Sequence, residues 1–278
     1  MKKLNVPAAV KTALVTGGDG GIGFQFARNL AYAGVNIVLV SNRAEELQKA
    51  KVQLETEFSI QAESFYCDMS QPNAAASIYE FCKSKNMAID LLVNNAGVFF
   101  YDEFIRINPK KISLMMNLHM IALTELCYLF GRDMAERQNG FILNVSSMSA
   151  WMAVPGLQLY AATKSYIQIF SRSIYYEMKR HHVGVTVICP GGVDTPLYHI
   201  SERLRKLGRA SGMLVSPEKL SYRALKKTFR YRQKTLLGAM NHVFTFIVAH
   251  LPKWMVFAIM RHLAPFKKKP SEASKNCF

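Results

Sequence analysis

The strongest constraint on the fold is an alternation that runs through the first two thirds of the chain: short apolar runs, each followed by a helical stretch. Strand signals stand at 12–16, 36–40, 62–67, 89–93, 140–145 and 184–189. Helical patterns fill the gaps at about 24–33, 44–57, 72–86, 110–137 and 157–181. Parallel strands need a long crossover between them and helices supply it. This order therefore predicts an α/β chain with a parallel sheet covered on both faces. Half of the 278 residues are hydrophobic, enough for one sizeable core. No internal repeat interrupts the pattern.

The turn after the first strand carries the first chemical signal. Thr16-Gly17-Gly18-Asp19-Gly20-Gly21-Ile22-Gly23 joins a strand to a helix. Glycines at 17, 21 and 23 let the backbone turn tightly and approach a pyrophosphate, and the following helix start offers N–H groups and a positive dipole end. The spacing is GxxxGxG, not the commoner GxGxxG, so position in the chain carries more weight than the pattern itself. At the end of the second strand an acidic residue would bond the ribose 2′-OH of NAD. Here the chain reads Ser41-Asn42-Arg43, with no carboxylate before Glu45. Asn42 and Arg43 favour a 2′-phosphate, so NADP(H) is the cofactor expected.

A proton donor is the second signal. Tyr and Lys four residues apart share a helix face, where the ammonium favours phenolate and makes the phenol usable near neutral pH. That spacing occurs at Tyr79/Lys83, Tyr160/Lys164, Tyr175/Lys179 and Tyr222/Lys226, so it proves little alone. A carbonyl substrate needs a second hydrogen-bond donor, and a strand-end serine can supply it. Thirteen residues before each tyrosine stand Tyr66, Ser147, Ala162 and Arg209; only Tyr160 has the serine.

Taken together, Thr16–Gly23, Cys67-Asp68-Met69, Asn94-Asn95-Ala96-Gly97, Asn117, Ser147, Tyr160-Ala161-Ala162-Thr163-Lys164 and Pro190-Gly191-Gly192-Val193-Asp194-Thr195 resemble the short-chain dehydrogenase/reductase superfamily over roughly residues 10–200. The resemblance implies a Rossmann-like, doubly wound parallel sheet of about seven strands. It implies that Tyr160 passes a proton to a carbonyl oxygen, that Ser147 orients that oxygen, that Lys164 holds the ribose and lowers the Tyr160 pKa, and that Asn117 fixes a relay water. Gly17, Asp19, Gly20, Gly21, Ile22 and Gly23 would cradle the cofactor phosphates. Asp68 and Met69 would lie near the adenine and Asn95 near the ribose, with Ala96 and Gly97 also binding the cofactor. Pro190, Gly191, Val193 and Thr195 would close on the nicotinamide. Thr163 stands where relatives commonly carry Ser, with the hydroxyl retained. In Asn42-Arg43 the basic group is shifted by one position from its usual place.

The last third differs in charge. Residues 1–197 hold 18 Lys/Arg against 16 Asp/Glu, whereas residues 198–278 hold 17 against 3. A near-neutral body with a basic tail points to a local surface contact. The chain divides into a dinucleotide-binding catalytic body, 1–197; a segment over the substrate with helices, 198–235; and an apolar, basic helical extension, 236–278. From Thr235 to Pro252 there is no charged side chain, and both flanks are basic. Asn241, His242, His250 and Pro252 oppose a clean membrane span, so residues 226–269 are read as lying on an anionic bilayer, with packing on protein as the competing reading. Residues 236–260 are too apolar to track nucleic-acid phosphates. Leu237-Gly238-Ala239-Met240 and Leu251-Pro252-Lys253-Trp254 are similar to the tails of very-long-chain 3-oxoacyl, 17β-hydroxysteroid and 3-ketodihydrosphingosine reductases.

These readings lead to an NADPH-dependent reductase of a lipid-type 3-oxo substrate, such as 3-ketosphinganine or a long-chain 3-oxoacyl compound. The alternatives are a steroid or small-ketone dehydrogenase and, in another class, a non-catalytic nucleotide-binding interaction protein, against which the presence of both Tyr160 and Lys164 counts. Trp151, Met152, Val154 and Leu157, with Phe99, Phe100 and Tyr101, are candidates for the substrate wall. Cys67, Cys82, Cys127, Cys189 and Cys277 show no CxxC spacing and are read as thiols in a reducing, cytoplasmic setting; no metal ligand set is expected. No apolar run follows Met1-Lys2-Lys3, so no cleaved signal peptide is expected. The enzyme is expected to be a homo-oligomer, peripheral on the inner face of a membrane.

Overall fold

A computed structural model of the protein describes residues 4–194, 206, 214–237, 247–248 and 250–262. Thr195 and, apart from Lys206, Leu214 and Val215, the segment 198–215 expected over the substrate lie outside the described residues.

The strands are β1 (Thr12–Thr16), β2 (Asn36–Ser41), β3 (Ala62–Tyr66), β4 (Leu91–Asn94), β5 (Gly140–Val145), β6 (Val183–Pro190) and, after two short strands β7 (Gly192–Val193) and β8 (Leu214–Val215), β9 (Lys234–Leu237). The main sheet has seven strands in the order β3-β2-β1-β4-β5-β6-β9, every neighbouring pair parallel. The expected Rossmann-like architecture is therefore the one observed. β7 and β8 form a separate parallel pair beyond the end of β6.

Strand residues alternate between two helical layers, because successive side chains point to opposite faces. On one face Ala13 and Val15 of β1 pack with α1 (Gly21–Ala31), α2 (Ala44–Glu57) and the late helix α7 (Pro217–Thr228), through Phe26, Leu30, Leu47, Leu54 and Leu225. On the other face Leu14 packs with α3 (Ala74–Ser84), α5 (Leu123–Glu136) and α6 (Gln158–Lys179), through Ile78, Leu126, Phe130 and Ile167. β5 and β6 are buried along their whole length, as central parallel strands must be. At the entry to β1, Asp90 Oδ2 accepts the N–H groups of Lys11 (2.8 Å) and Thr12 (3.1 Å), which prevents two half-buried donors from being orphaned.

The long helix expected at 110–137 is continuous from Pro109 to Glu136. It starts as α4 (Pro109–Met116), capped by Asn108, whose Oδ1 accepts the Lys110 N–H at 2.9 Å. It widens into a π-helical turn at Asn117–Ala122 and continues as α5. By length and composition alone it could cross a membrane; here Leu123, Leu126, Cys127, Phe130 and Met134 bury one stripe against the sheet.

The seventh strand is not among the six that the sequence pattern shows. The pattern joins Leu236 and Leu237 to the apolar extension, but Lys234–Leu237 pairs residue for residue with Val187–Pro190. Two apolar residues after a basic run are too few to show a period of two. What places them is the edge of β6 opposite β5, which would otherwise leave the backbone groups of a fully buried strand unpaired on that side. Helix α7 is likewise part of the body: Asn29 Nδ2 of α1 donates to Ser221 Oγ at 2.7 Å.

Candidate active site

Strand order reverses between β1 and β4, so the connections leave their carboxyl ends toward opposite faces of the sheet and a crevice opens between them. The glycine loop follows β1 and Asn95-Ala96-Gly97 follow β4, so the two segments form its walls. Thr16 Oγ1 accepts the N–H groups of Asn95 and Ala96, both at 3.0 Å, and Asn95 Nδ2 donates to the carbonyls of Thr16 (3.0 Å) and Gly17 (3.3 Å). The Asn95 amide is thus spent on holding the loop in shape.

Two glycines are required by geometry. Gly17 has φ +61°, a left-handed conformation that side chains disfavour, and a Cβ there would press on the Ala96 backbone at 3.1 Å. At Gly23 a Cβ would collide with the Gly17 carbonyl. Helix α1 therefore packs flush against the loop, and it starts at Gly21, inside the motif, not at 24 as the periodicity predicts. Its N-cap, Gly20, provides no side-chain cap, so the first-turn N–H groups are left for an anionic group. The residues present fit a dinucleotide: a cleft of about 610 Å³ is lined by Gly17, Asp19, Gly20, Gly21 and Ile22, by Ser41, Asn42 and Arg43, by Asp68 and Met69, and by Asn95, Ala96 and Gly97.

At the far end of that cleft Asp68 is held in a tight local frame. Burial alone would raise its pKa, but Oδ1 accepts from the Ser70 N–H (3.0 Å) and hydroxyl (2.8 Å), and Oδ2 from Gln71 (3.2 Å). Together these keep the carboxyl below its ordinary value. Arg43, the N-cap of α2, is paired with Asp19.

The cleft continues into a smaller cavity of about 70 Å³ that shares Ile22, Asn95, Gly97 and Val98 with it and adds Ser147, Tyr160, Lys164, Pro190, Gly191 and Val193. Residues widely separated in sequence thus meet in one place. Ser147 stands two residues beyond the end of β5 and caps the following short helical turn: its Oγ accepts the Ser149 N–H at 3.2 Å, which leaves the hydroxyl proton to be donated. Lys164, one turn along α6 from Tyr160, is 4% exposed. Its Nζ donates to the Val145 carbonyl at 3.1 Å and lies 5.6 Å from the Tyr160 ring centre. Burial pushes its pKa down to about 8. Phe99 packs edge-on to the Tyr160 ring, with centres 5.1 Å apart. A phenol, a hydroxyl donor and an ammonium that titrates near neutrality in one small cavity can bind a carbonyl oxygen and supply it with a proton.

Asn117 is not among the residues lining that cavity. It opens the π-helical turn, and its amide donates to the Ser70 carbonyl at 3.0 Å. Trp151, Met152 and Val154 line a separate groove with Pro155, Gln158 and Ala161; Leu157 is the N-cap of α6. Phe100 is covered by Lys111 Nζ at 5.1 Å.

Sequence reasoning missed His119, which is 1% exposed two residues after Asn117. Its Nε2 accepts the Val98 N–H at 3.0 Å, so the proton sits on Nδ1 and is donated to Thr163 Oγ1 at 2.9 Å. Thr163 in turn donates to the Tyr160 carbonyl at 3.0 Å. The chain of bonds ties the β4 loop, the π-turn and the catalytic helix together. Burial, assisted by the Lys164 charge, holds the imidazole neutral with a pKa well below its ordinary value. A lone His in an apolar helix was the available signal, but sequence cannot say what it bonds.

Comparison with known proteins agrees with this geometry. A family model described as short chain dehydrogenase matches residues 11–204. Among curated proteins, the mouse very-long-chain 3-oxoacyl-CoA reductase is 29% identical over 266 residues, covering 91% of this chain and 80% of the relative. The human inactive hydroxysteroid dehydrogenase-like protein 1 is 30% identical over 247 residues, covering 87% and 73%. Among solved structures, a short-chain dehydrogenase from Sphingobium yanoikuyae in complex with NADPH superposes with a TM-score of 0.73 at 22% identity, covering 87% of this chain and 97% of that one. A structure described for 7beta-hydroxysteroid dehydrogenase stereoselectivity gives 0.79 at 21% identity, covering 90% and 96%. With the fold, the glycine loop and the Ser147, Tyr160 and Lys164 cavity all in place, the chain belongs to the short-chain dehydrogenase family, oxidoreductases that interconvert carbonyl and hydroxyl groups.

Proposed function

We propose that this protein is an NADPH-dependent carbonyl reductase in which Tyr160 protonates the oxygen of a lipid-type 3-oxo substrate. The observation that carries the reading is the convergence of Ser147, Tyr160 and Lys164 on a cavity continuous with the glycine-lined cleft. When bound, the nicotinamide supplies the hydride. Ser147 donates to the substrate oxygen and fixes it. Tyr160 gives up its phenolic proton as negative charge develops there. Lys164, close to neutrality in its own titration, stabilises the phenolate that results and is positioned to return a proton. Arg43 and Asn42, at the end of β2 where an NAD enzyme would place a carboxylate, support the 2′-phosphorylated cofactor. Asn117, with its amide on Ser70, fixes the helix register on which a relay water would depend.

The lipid assignment follows the names of the 3-oxoacyl relatives and the character of the C-terminal surface. On α7 the basic side chains Lys219, Arg223, Lys226 and Lys227 are exposed. Helix α8 (Lys253–His262) exposes Trp254 at 70% and Phe257 at 60% between Lys253 and Arg261. A cationic face on one helix and exposed aromatics on the other suit the interface of an anionic bilayer, where a long-chain substrate resides. Exposed Ile121 and Tyr128 on the long helix and Ile169 on α6, neighbours joined by the 2.8 Å Thr124–Tyr166 bond, support a homo-oligomer.

The test is the rate of NADPH and NADH oxidation with 3-oxoacyl thioesters, 3-ketosphinganine, steroids and small ketones, on the wild type and Tyr160→Phe. Preference for NADPH and a 3-oxo lipid, with turnover lost in the variant, is the expected result. Undiminished turnover in Tyr160→Phe would refute the mechanism, and faster NADH oxidation would refute the cofactor assignment. For the surface, Trp254→Glu with Phe257→Glu should abolish co-sedimentation with anionic vesicles; wild-type protein that stays in the supernatant excludes the bilayer reading.

A further inference from the structure

Among the described residues lining the cofactor cleft, Arg43 is the one cation, set against the carboxylates of Asp19, Glu46 and Asp68. It is already engaged. Its Nη2 lies 2.5 Å from Asp19 Oδ2, with the Arg43 side chain 56% exposed and that of Asp19 only 4%. Asp19 Oδ2 is buried and receives no well-directed hydrogen bond, so what compensates that oxygen is chiefly the guanidinium charge. A Cβ on Gly20 would come within 3.2 Å of Arg43 Nη2, so the guanidinium lies across the glycine loop.

A buried carboxylate cannot lose its counter-ion without cost. A 2′-phosphate entering beside Arg43 must either draw the guanidinium away from Asp19 or share it, with a dianion then placed close to a carboxylate in a partly desolvated site. NADH imposes neither demand, because its ribose carries a hydroxyl there and the Arg43–Asp19 pair stays intact. The penalty therefore falls on one cofactor only.

We propose that Asp19 sets cofactor discrimination in this enzyme: it shares Arg43 with the 2′-phosphate of NADP(H) and holds the preference for NADPH over NADH below what Arg43 alone would give. The inference rests on the NADPH reading above. Asp19 is a specificity-determining residue of the glycine loop, and its action is electrostatic and passes through Arg43.

The experiment is equilibrium titration of NADPH and NADH, followed by cofactor fluorescence, on the full-length wild type, Asp19→Asn, Arg43→Leu and the double variant. Asp19→Asn should tighten NADPH binding by about tenfold and change NADH binding by less than about twofold, as expected for freeing one charge-assisted contact. Arg43→Leu should weaken NADPH selectively, and in that background Asp19→Asn should bring no gain. Asp19→Ser, which is also small and polar, serves if the Asn variant misfolds. If Arg43→Leu weakens NADPH but Asp19→Asn leaves the ratio of the two dissociation constants unchanged or lowers it, the proposal is overturned and the NADPH reading stands. A full gain from Asp19→Asn in the Arg43→Leu background overturns the route through Arg43. NADPH binding that is indifferent to Arg43→Leu removes the NADPH reading and the proposal with it.

Discussion

Replacing Lys164 by methionine should abolish turnover and at the same time stabilise the cofactor-free protein. The ammonium is 4% exposed, and burial moves its pKa from 10.5 to about 8. A tenfold change in proton affinity corresponds to about 1.36 kcal/mol, so keeping this lysine charged at pH 7 costs the fold roughly 3 kcal/mol. Methionine is close in shape but leaves the Val145 carbonyl without its 3.1 Å donor, a loss of about 1–2 kcal/mol. The net gain is about 1–2 kcal/mol at pH 7, a few degrees in Tm for a chain of this size. The dependence on pH has a definite sign. Below pH 8 the lysine is protonated in both states and the penalty is complete. Between pH 8 and 10.5 the unfolded chain holds a proton that the folded one has released, so the wild type gains stability as pH rises and the advantage of the variant shrinks. Guanidinium unfolding of both proteins at about pH 7, 8, 9 and 10, with equal m-values, measures the difference directly. A variant less stable than wild type at pH 7, or an advantage that stays constant from pH 7 to 10, refutes the reasoning.

Other outcomes follow from the same geometry. Ser147→Ala should lower kcat by about 10²–10³ with little change in the cofactor dissociation constant, since a hydroxyl donor to the substrate oxygen is lost; stopped-flow turnover and cofactor titration separate the two. Gly23→Ala should lose nucleotide binding and melt at a lower temperature, because the new methyl collides with the Gly17 carbonyl; unaltered NADPH affinity would contradict the packing described. His119 is neutral in the folded protein, with its pKa well below the ordinary 6.5. As pH falls through 6.5 the unfolded chain takes up a proton that the folded one refuses, so stability should decline there. His119→Asn should flatten that decline, which chemical unfolding between about pH 5 and 8 would show.

How much of this was legible in the sequence varies with the range of the interaction that decides it. Strand and helix periods are local, and six of the seven sheet strands follow from them. The glycine loop is local too, since backbone freedom at Gly17 and space at Gly23 depend on neighbours within one turn of chain and one strand. Lys234–Leu237 was not legible, because a short edge strand is defined by the partner it meets. Asn117 illustrates a different limit: the residue type was evident, but its amide bonds Ser70, 47 positions away in the chain.

The amino-acid order by itself determined that this chain forms a parallel α/β sheet with a nucleotide loop after β1 and that Tyr160, not Tyr79, Tyr175 or Tyr222, has the serine it needs. These are matters of period, spacing and side-chain chemistry, which a linear pattern carries. Only the tertiary structure decided that Arg43 is paired with Asp19, that His119 is a neutral brace behind Tyr160, and that Lys164 is buried deeply enough to titrate near neutrality. The physical reason is common to all three. Charge state and hydrogen-bond partnership depend on what surrounds a group in space and how much water it retains, and neither is set until distant segments have packed together.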